Sequence, residues 1–263
     1  MHKYLSIFTI AYKNHHVYLA DILGMNVIFV LRILVIITLY RAVFELSGGS
    51  GNVGGYSIEQ LSWALIVTQV LVTSKPKTGT DISTEIKTGK IVTYLLNPVP
   101  YVWFKFFQGF SQFLGNILPG LVVGVTIGIL VLGVPSTSVA GIFGSVVLIF
   151  GGMFVTFFGY MFIGLCAFFM EDSEALRWIY SKFDMIFGGN ILPIPFLPPF
   201  LQTFAFFSPF SAAGYTAGLV FVGFNAEKFS LYLTIQVFWI IVYILACLGL
   251  YEFARKKLVV NGG

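Results

Sequence analysis

Residues 106–170 read FFQGFSQFLGNILPGLVVGVTIGILVLGVPSTSVAGIFGSVVLIFGGMFVTFFGYMFIGLCAFFM, and no charged side chain occurs between Lys105 and Glu171. An α-helix rises about 1.5 Å per residue, so about 20 apolar residues cross a hydrocarbon core of about 30 Å. The run is too long for one crossing and too apolar for the core of a soluble domain. It is interrupted in its middle at Gly133-Val134-Pro135-Ser136, a turn sequence with a helix-stopping proline. Phe106–Leu132 and Val139–Phe169 are therefore expected to form a transmembrane helical hairpin.

The rest of the composition agrees. Of the 263 residues 57% are hydrophobic, 17% aromatic and 10% charged, with a mean hydropathy of +0.91. Soluble domains carry about 25% charged residues. The length suits one polytopic domain, residues 1–263. The isoelectric point near 9.0 does not indicate nucleic acid, because the bases sit where cytoplasmic loops would place them. Cys166 and Cys247 fall inside apolar runs without a Cys or His neighbour, so neither a disulfide nor a metal site is expected. His2, Lys3 and Lys13 bracket a short, broken apolar stretch that does not read as a cleavable signal.

Outward from the hairpin, residues 1–22 mix Tyr4, Leu5, Ile7, Phe8 and Ile10 with Lys13, Asn14, His15 and His16, which suits a helix lying in the membrane interface. Leu23–Phe44 is the first expected span, Ser47–Gly51 a flexible glycine-rich loop and Ile58–Thr73 a short second span. Ser230–Phe253 is the last, followed by Arg255, Lys256 and Lys257. Lys75, Lys77, Lys87, Lys90 and Lys105 cluster around one loop, whereas the glycine loop and the hairpin turn hold no base. The positive-inside bias then places both termini and the loop of residues 75–100 in the cytoplasm of a multi-pass cell-membrane protein. Two cytoplasmic termini need an even number of spans, so a further crossing is expected at about Ala175–Asn190. That segment contains Arg177, Lys182 and Asp184. A charge at mid-helix costs about 2.5–3.5 kcal/mol on insertion scales, so its charges should face neighbouring helices. The expected fold class is all-α, with six transmembrane helices.

Residues 188–229 are again poor in charge but hold Pro193, Pro195, Pro198, Pro199 and Pro209. Irregular backbone at membrane depth persists only where protein or a water-filled cavity covers it. A re-entrant outer segment of short helices is expected there.

Enzyme motifs are absent: no H-E-x-x-H, no G-x-S-x-G, and all three histidines lie within the first sixteen residues. Gly89-Lys90 lacks the upstream glycine and following hydroxyl of a P-loop, so no cofactor is expected in this chain, and any ATP must be bound by a partner. The intramembrane charges are Arg32, Lys182 and Asp184. Each has a structural reading (snorkelling or pairing) beside a functional one, contact with an anionic substrate for Arg32 and proton coupling for Asp184. In the polar loop, Thr80-Asp81 is placed to cap a helix over Asp81–Thr88 through Ile82, Glu85, Ile86 and Lys87, with Gly89 ending it. Such a helix suits either docking or plain solvation.

At this loop the chain resembles a known family. Glu85-Ile86-Lys87-Thr88-Gly89-Lys90-Ile91, continuing to Leu95-Leu96-Asn97-Pro98-Val99, is similar to the "I-x-x-G-x-(four)-L-L-(Arg/Lys)-P-V" stretch of ABC-2-type transporter permeases. Gly188-Gly189-Asn190-Ile191-Leu192-Pro193, then Phe196 to Gln202 and Ser208-Pro209-Phe210, is similar to the outer segment of that family. Leu258 to Gly263 resembles the ending of one prokaryotic subgroup. Asn97 stands where the family has a base and Phe200 where it has Trp. The resemblance implies the six-helix type-2 exporter fold, pairing with a second identical or homologous permease, and two cytoplasmic ABC ATPase subunits that bind ATP and Mg. It also implies an ATPase-coupling role for Asp81, Ile82, Glu85, Ile86, Lys87 and Gly89. Pro193, Pro195, Leu197, Pro198, Pro199 and Leu201 would form an outer gate. An amphipathic, peptide, lipid or drug-like cargo fits the aromatic, charge-poor spans. The alternative is a secondary transporter or channel coupled through Asp184. A membrane-embedded enzyme is disfavoured by the lack of any catalytic constellation.

Overall fold

The computed structural model describes residues 2–16, 19–46, 52–53, 55–95, 99–170 and 173–261. The Ser47–Gly51 loop, Asn97 and Gly262-Gly263 lie outside them. The uncharged run forms helices over Tyr101–Leu132 and Val139–Leu165, with a short 3-10 turn at Cys166–Phe168. In chain order the preceding helices are α1 (His2–His16), α2 (Leu19–Leu46), α3 (Ile58–Ser74), α4 (Thr78–Lys87) and α5 (Ile91–Leu95), which makes the hairpin arms α6 and α7. After them come α8 (Glu174–Phe187), α9 (Pro199–Phe207), α10 (Pro209–Ala212), α11 (Tyr215–Val222) and α12 (Ala226–Asn261). Among the described residues, four stretches are long and apolar enough to cross a membrane: Gly24–Ala42, Tyr101–Leu132, Val139–Phe168 and Ala226–Lys256. Apolar side chains stay exposed along their outer faces, among them Ile28, Val35, Leu130, Phe143 and Leu245. Such a surface has no place in water.

The two arms of the hairpin are not packed along their length. Near the end remote from the turn they meet through Phe106, whose ring lies 5.1 Å from Phe154, 5.4 Å from Phe157 and 5.7 Å from Phe158. Toward the turn they diverge, and α3 and α11 fill the gap. Gly128 of α6 accepts the Trp63 ring of α3, while α11 crosses α3 so closely that Gly218 lies against the backbone of Ala64. Bulky rings and helix backbones thus enter where glycines leave room.

At the turn end, β1 (Asn52–Val53) and β2 (Tyr56–Ser57) form a two-stranded antiparallel ribbon with Gly55 at φ +84°. Ser57 then opens α3 with a capping box, its hydroxyl accepting from the Gln60 amide at 3.2 Å and its own amide donating to the Gln60 side chain at 2.9 Å. At the opposite end α3 stops before Pro76, which forces Lys75 out of the helical region (ψ 130°). The loop helix α4 starts at once. Its N-cap is Lys77 and no side chain caps it, so Asp81 lies in its first turn and is not its cap, a correction to the expected Asp81–Thr88 boundaries. Gly89, at φ +72°, ends it as expected. Helix α1 lies along α6, Tyr4 stacking on Phe107 at 4.9 Å, and residues 19–22 already belong to α2.

Helix α8 is helical only to Phe187. Its 14 residues measure about 21 Å, short of the Ala175–Asn190 helix expected and too short to cross a bilayer core alone. The chain continues irregularly from Gly188 to a 3-10 turn at Ile194–Phe196 that reaches Phe44 at the turn end of α2. It then returns through α9 to mid-bundle, where the Ala213 carbonyl sits against Gly152 of α7, and leaves again along α11. The re-entrant depth is therefore reached at α10 and the start of α11. Gln236 of α12 pins that point, its Nε2 donating to Leu148 O at 2.9 Å and Ala212 O at 2.8 Å.

Candidate functional site

Among the described residues, two buried clusters built around an ion pair stand in this apolar bundle. The first ties α4 to the start of α6. Lys105 is 2% exposed and Glu85 8%. The Lys105 ammonium donates to Glu85 Oε1 at 2.5 Å and to Gln108 Oε1 at 3.0 Å, and the Tyr101 hydroxyl donates to Glu85 Oε2 at 2.8 Å. The same ammonium lies 5.4 Å from the centre of the Tyr94 ring. Tyr101 in turn stacks on Tyr251 of α12 at 5.7 Å. One ion pair thus joins three helices. Ile82 is fully buried on the same face of α4, Gly79 lies against the Tyr160 backbone of α7, and Ser83 Oγ accepts from Ser173 Oγ at 2.8 Å, just before α8.

The opposite face of α4 carries Thr80, Thr84 and Lys87, with Thr88, Gly89 and Lys90 after it, all exposed. Asp81 lies between the two faces. Burial pushes its carboxyl above the ordinary carboxylate range and nearby Glu85 adds to this, while Lys105 and Lys77 pull the other way. Burial, then Glu85, likewise raises the Tyr94 phenol.

The second cluster lies among α2, α3, α7 and α8. Asp184, 6% exposed, pairs with Lys75 and also accepts from the Tyr160 hydroxyl at 3.4 Å. Asn190 Nδ2 donates to the Asp184 carbonyl at 2.9 Å, and Gln69 of α3 donates to the Asn190 carbonyl. Arg32, exposed on α2, reaches Gln69 Oε1 at 3.4 Å. A polar chain therefore runs from the surface of α2 through Gln69 and Asn190 to the backbone of buried Asp184, passing through the Asn190 and Asp184 carbonyls.

The expected site residues separate accordingly. Of the α4 set, Ile82 and Glu85 point into the bundle, Ile86 and Asp81 are half-buried, and Lys87 and Gly89 face out. Of the charges on α8 only Asp184 turns inward. Lys182 instead lies over the Trp178 ring at 5.1 Å, and Arg177 pairs on the surface with Glu174 at 2.7 Å. Their outward position corrects the expectation that all three would face other helices. It is possible because α8 is short and its outer face, with Trp178, Ile179 and Phe183, is exposed. Of the gate set, Pro193 is buried, while Pro195 and Leu197 are held by Gln202, whose Nε2 donates to their carbonyls at 3.1 Å and 2.7 Å. Pro198 and Pro199 are exposed and Leu201 is half-buried.

Sequence reading missed Lys75, Lys105, Gln69 and Asn190 as site residues. The signal was there: Gln69 and Asn190 are amides within apolar runs, and Lys75 and Lys105 stand flush against them.

A bundle of apolar helices with lipid-compatible faces, a fixed loop helix and a segment dipping back to mid-bundle describes a transport subunit better than a catalyst. A family model described as "ABC-2 family transporter protein" matches residues 26–262. The chain belongs to the ABC-2 transporter family. It is a multi-pass membrane protein and a permease, the membrane subunit of a transport system rather than a catalyst, from a family that generally works with an ABC ATPase. Among curated proteins none matches this ABC-2 permease.

Proposed function

We propose that this ABC-2 permease forms one half of the pathway of an ATP-driven exporter. It crosses the membrane six times with both termini in the cytoplasm, and it pairs with a second identical or homologous permease. Two cytoplasmic ATPase subunits supply the ATP and Mg chemistry. Helices α2, α3, α6, α7 and α12 are five of the crossings, and α8 with the irregular chain after it is the sixth. The cargo is an amphipathic, peptide, lipid or drug-like molecule, and residues 193–201 lie where an outer lid would sit.

One observation carries this reading. Helix α4 is fixed to the bundle on one face through Ile82 and the Glu85–Lys105 pair and leaves its other face open. A helix so held moves with α6 and α12 when a partner displaces it, as coupling requires. Asp184, the group a proton-coupled carrier would use, is engaged by Lys75 and Tyr160, which favours a structural role for it.

The test is co-expression with the P-loop ATPase encoded nearest to the gene, followed by purification and reconstitution. Thr80→Trp with Thr84→Trp places two bulky rings on the open face of α4 without touching its buried side. We expect the permease to insert and melt normally but to lose co-purification, with stimulation of ATPase activity reduced at least about tenfold. Undiminished stimulation would remove α4 as the docking element.

A further inference from the structure

The end of the bundle that carries the β-ribbon holds a cavity of about 310 Å³, formed where β2, α9, α11 and α12 converge. Its walls are largely aromatic: Tyr56, Phe206, Phe207, Tyr215 and Tyr232, with Lys228 among the lining residues. Tyr232 and Phe206 meet edge to face at 5.4 Å and give the cavity a rigid side. Lys228 stands 5.9 Å from the centre of the Tyr56 ring and has no ion-pair partner among the described residues. The Tyr215 side chain is 4% exposed, yet its hydroxyl, close to the Ile194 amide, makes no well-formed hydrogen bond. Among the described residues no carboxylate lines the cavity.

These features select a ligand class. A lone ammonium and phenol hydroxyls without an acid beside them recognise a negative head group. Aromatic walls, continuous with the exposed Phe207 and Phe204 rings of α9, recognise an apolar chain. The volume lies at the lower edge of the about 300–1,000 Å³ typical of small-molecule sites, enough for a head group and the first part of a chain. We propose that this cavity binds an anionic amphiphile, a carboxylate or phosphate carried on an apolar chain. Lys228 holds the head, the tyrosine hydroxyls donate to it, and Phe206 and Phe207 take the chain. The site does not depend on the exporter reading, because binding is a property of this chain alone.

Binding is measured on the purified full chain in a neutral detergent with 11-(dansylamino)undecanoic acid, followed by dansyl emission and by quenching of Trp239, whose indole donates to the Phe207 carbonyl at 2.9 Å. Saturable binding is expected, weakened about tenfold or more by Lys228→Gln and about threefold by Tyr232→Phe. The uncharged primary amide of the same probe should bind about tenfold more weakly and be indifferent to Lys228→Gln. Lys228 is exposed at the start of α12, so the variant should fold, and an unchanged melting temperature checks this. Displacement by phosphatidylglycerol but not phosphatidylcholine identifies a bilayer lipid as the source. Displacement by dodecanoate alone identifies a free single-chain amphiphile. Equal affinity of wild type and Lys228→Gln, equal affinity for the amide, or displacement by neither competitor overturns the proposal, whatever the ATPase experiment returns.

Discussion

The Lys105 ammonium is almost wholly buried and is surrounded by Glu85, Gln108 and the faces of two tyrosine rings. Removing one member of such a pair strands the other, which costs about 3–5 kcal/mol, whereas replacing both by neutral groups of similar volume is far less damaging. Lys105→Met should therefore lower the melting temperature in detergent sharply, and Glu85→Gln combined with Lys105→Met should recover most of the loss. Equal damage from single and double variants would show that packing, not the ion pair, holds α4. Charge reversal at Glu85 would place two ammonium groups together and should prevent stable folding, so it is unsuited to testing coupling. Asp81 gives a pH test of opposite character. Its folded-state carboxyl holds its proton more tightly than the unfolded chain does, so stability is fully present below the unfolded-state value near 3.9 and is lost as pH rises through the raised folded value. Asp81→Asn should flatten that slope in thermal melts recorded from about pH 4 to 7; an unchanged slope would assign it to other groups. In sequence Lys105 was legible only as a loop-side base, because the partner that defines it sits twenty residues away on another helix.

At the scale of elements, close backbone approach decides the architecture. A Cβ on Gly218 would fall inside the carbonyl of Ala64, in the backbone of α3 rather than in a side chain able to rotate away. Overpacking of this kind costs about 1–3 kcal/mol. Gly218→Ala should lower the melting temperature by several degrees and Gly218→Val should abolish recovery of folded protein, while Gly24→Ala, with open space around it, should be neutral. The long helices were readable because an uncharged run admits no other structure in a bilayer, and the hairpin turn because proline and glycine punctuate it. The divergence of the hairpin arms was not readable. It depends on α11 entering between them, a contact between segments far apart in the chain. Helix α8 escaped for a related reason: its end is set by Gly189 at φ +63° packed against Tyr215, not by any break in its apolar pattern.

For the whole molecule, the distribution of bases and the architecture are consistent with each other. The α4 loop, α1, the start of α6 and the last turns of α12 gather at one end of the bundle, and the ribbon, the α6–α7 turn and the start of α12 gather at the other. Single cysteines in a background lacking Cys166 and Cys247 test the orientation. Ser136→Cys should react with an impermeant thiol reagent on intact cells, and Thr88→Cys only after permeabilisation. The reverse pattern would invert the topology and with it the docking role of α4. Of the candidate site, the existence of the loop helix and the presence of intramembrane charge were legible. Which face of the helix is open, and which base neutralises Asp184, were not, since each follows from contacts across about a hundred residues of chain.

The place of α12 in this arrangement bears on how the protein is made. Helix α12, made after the other described helices, supplies Tyr251 to Tyr101, Gln236 to the carbonyls of Leu148 and Ala212, and the Tyr243 hydroxyl to that of Tyr180. Until it leaves the ribosome, these contacts are missing, although Tyr101 can already meet Glu85 and Tyr180 can meet Tyr160, and one side of the bundle stays open. Assembly is therefore completed only when α12 arrives rather than helix by helix, and a chain stalled before α12 should present unfinished polar surfaces to the quality-control proteases of the membrane.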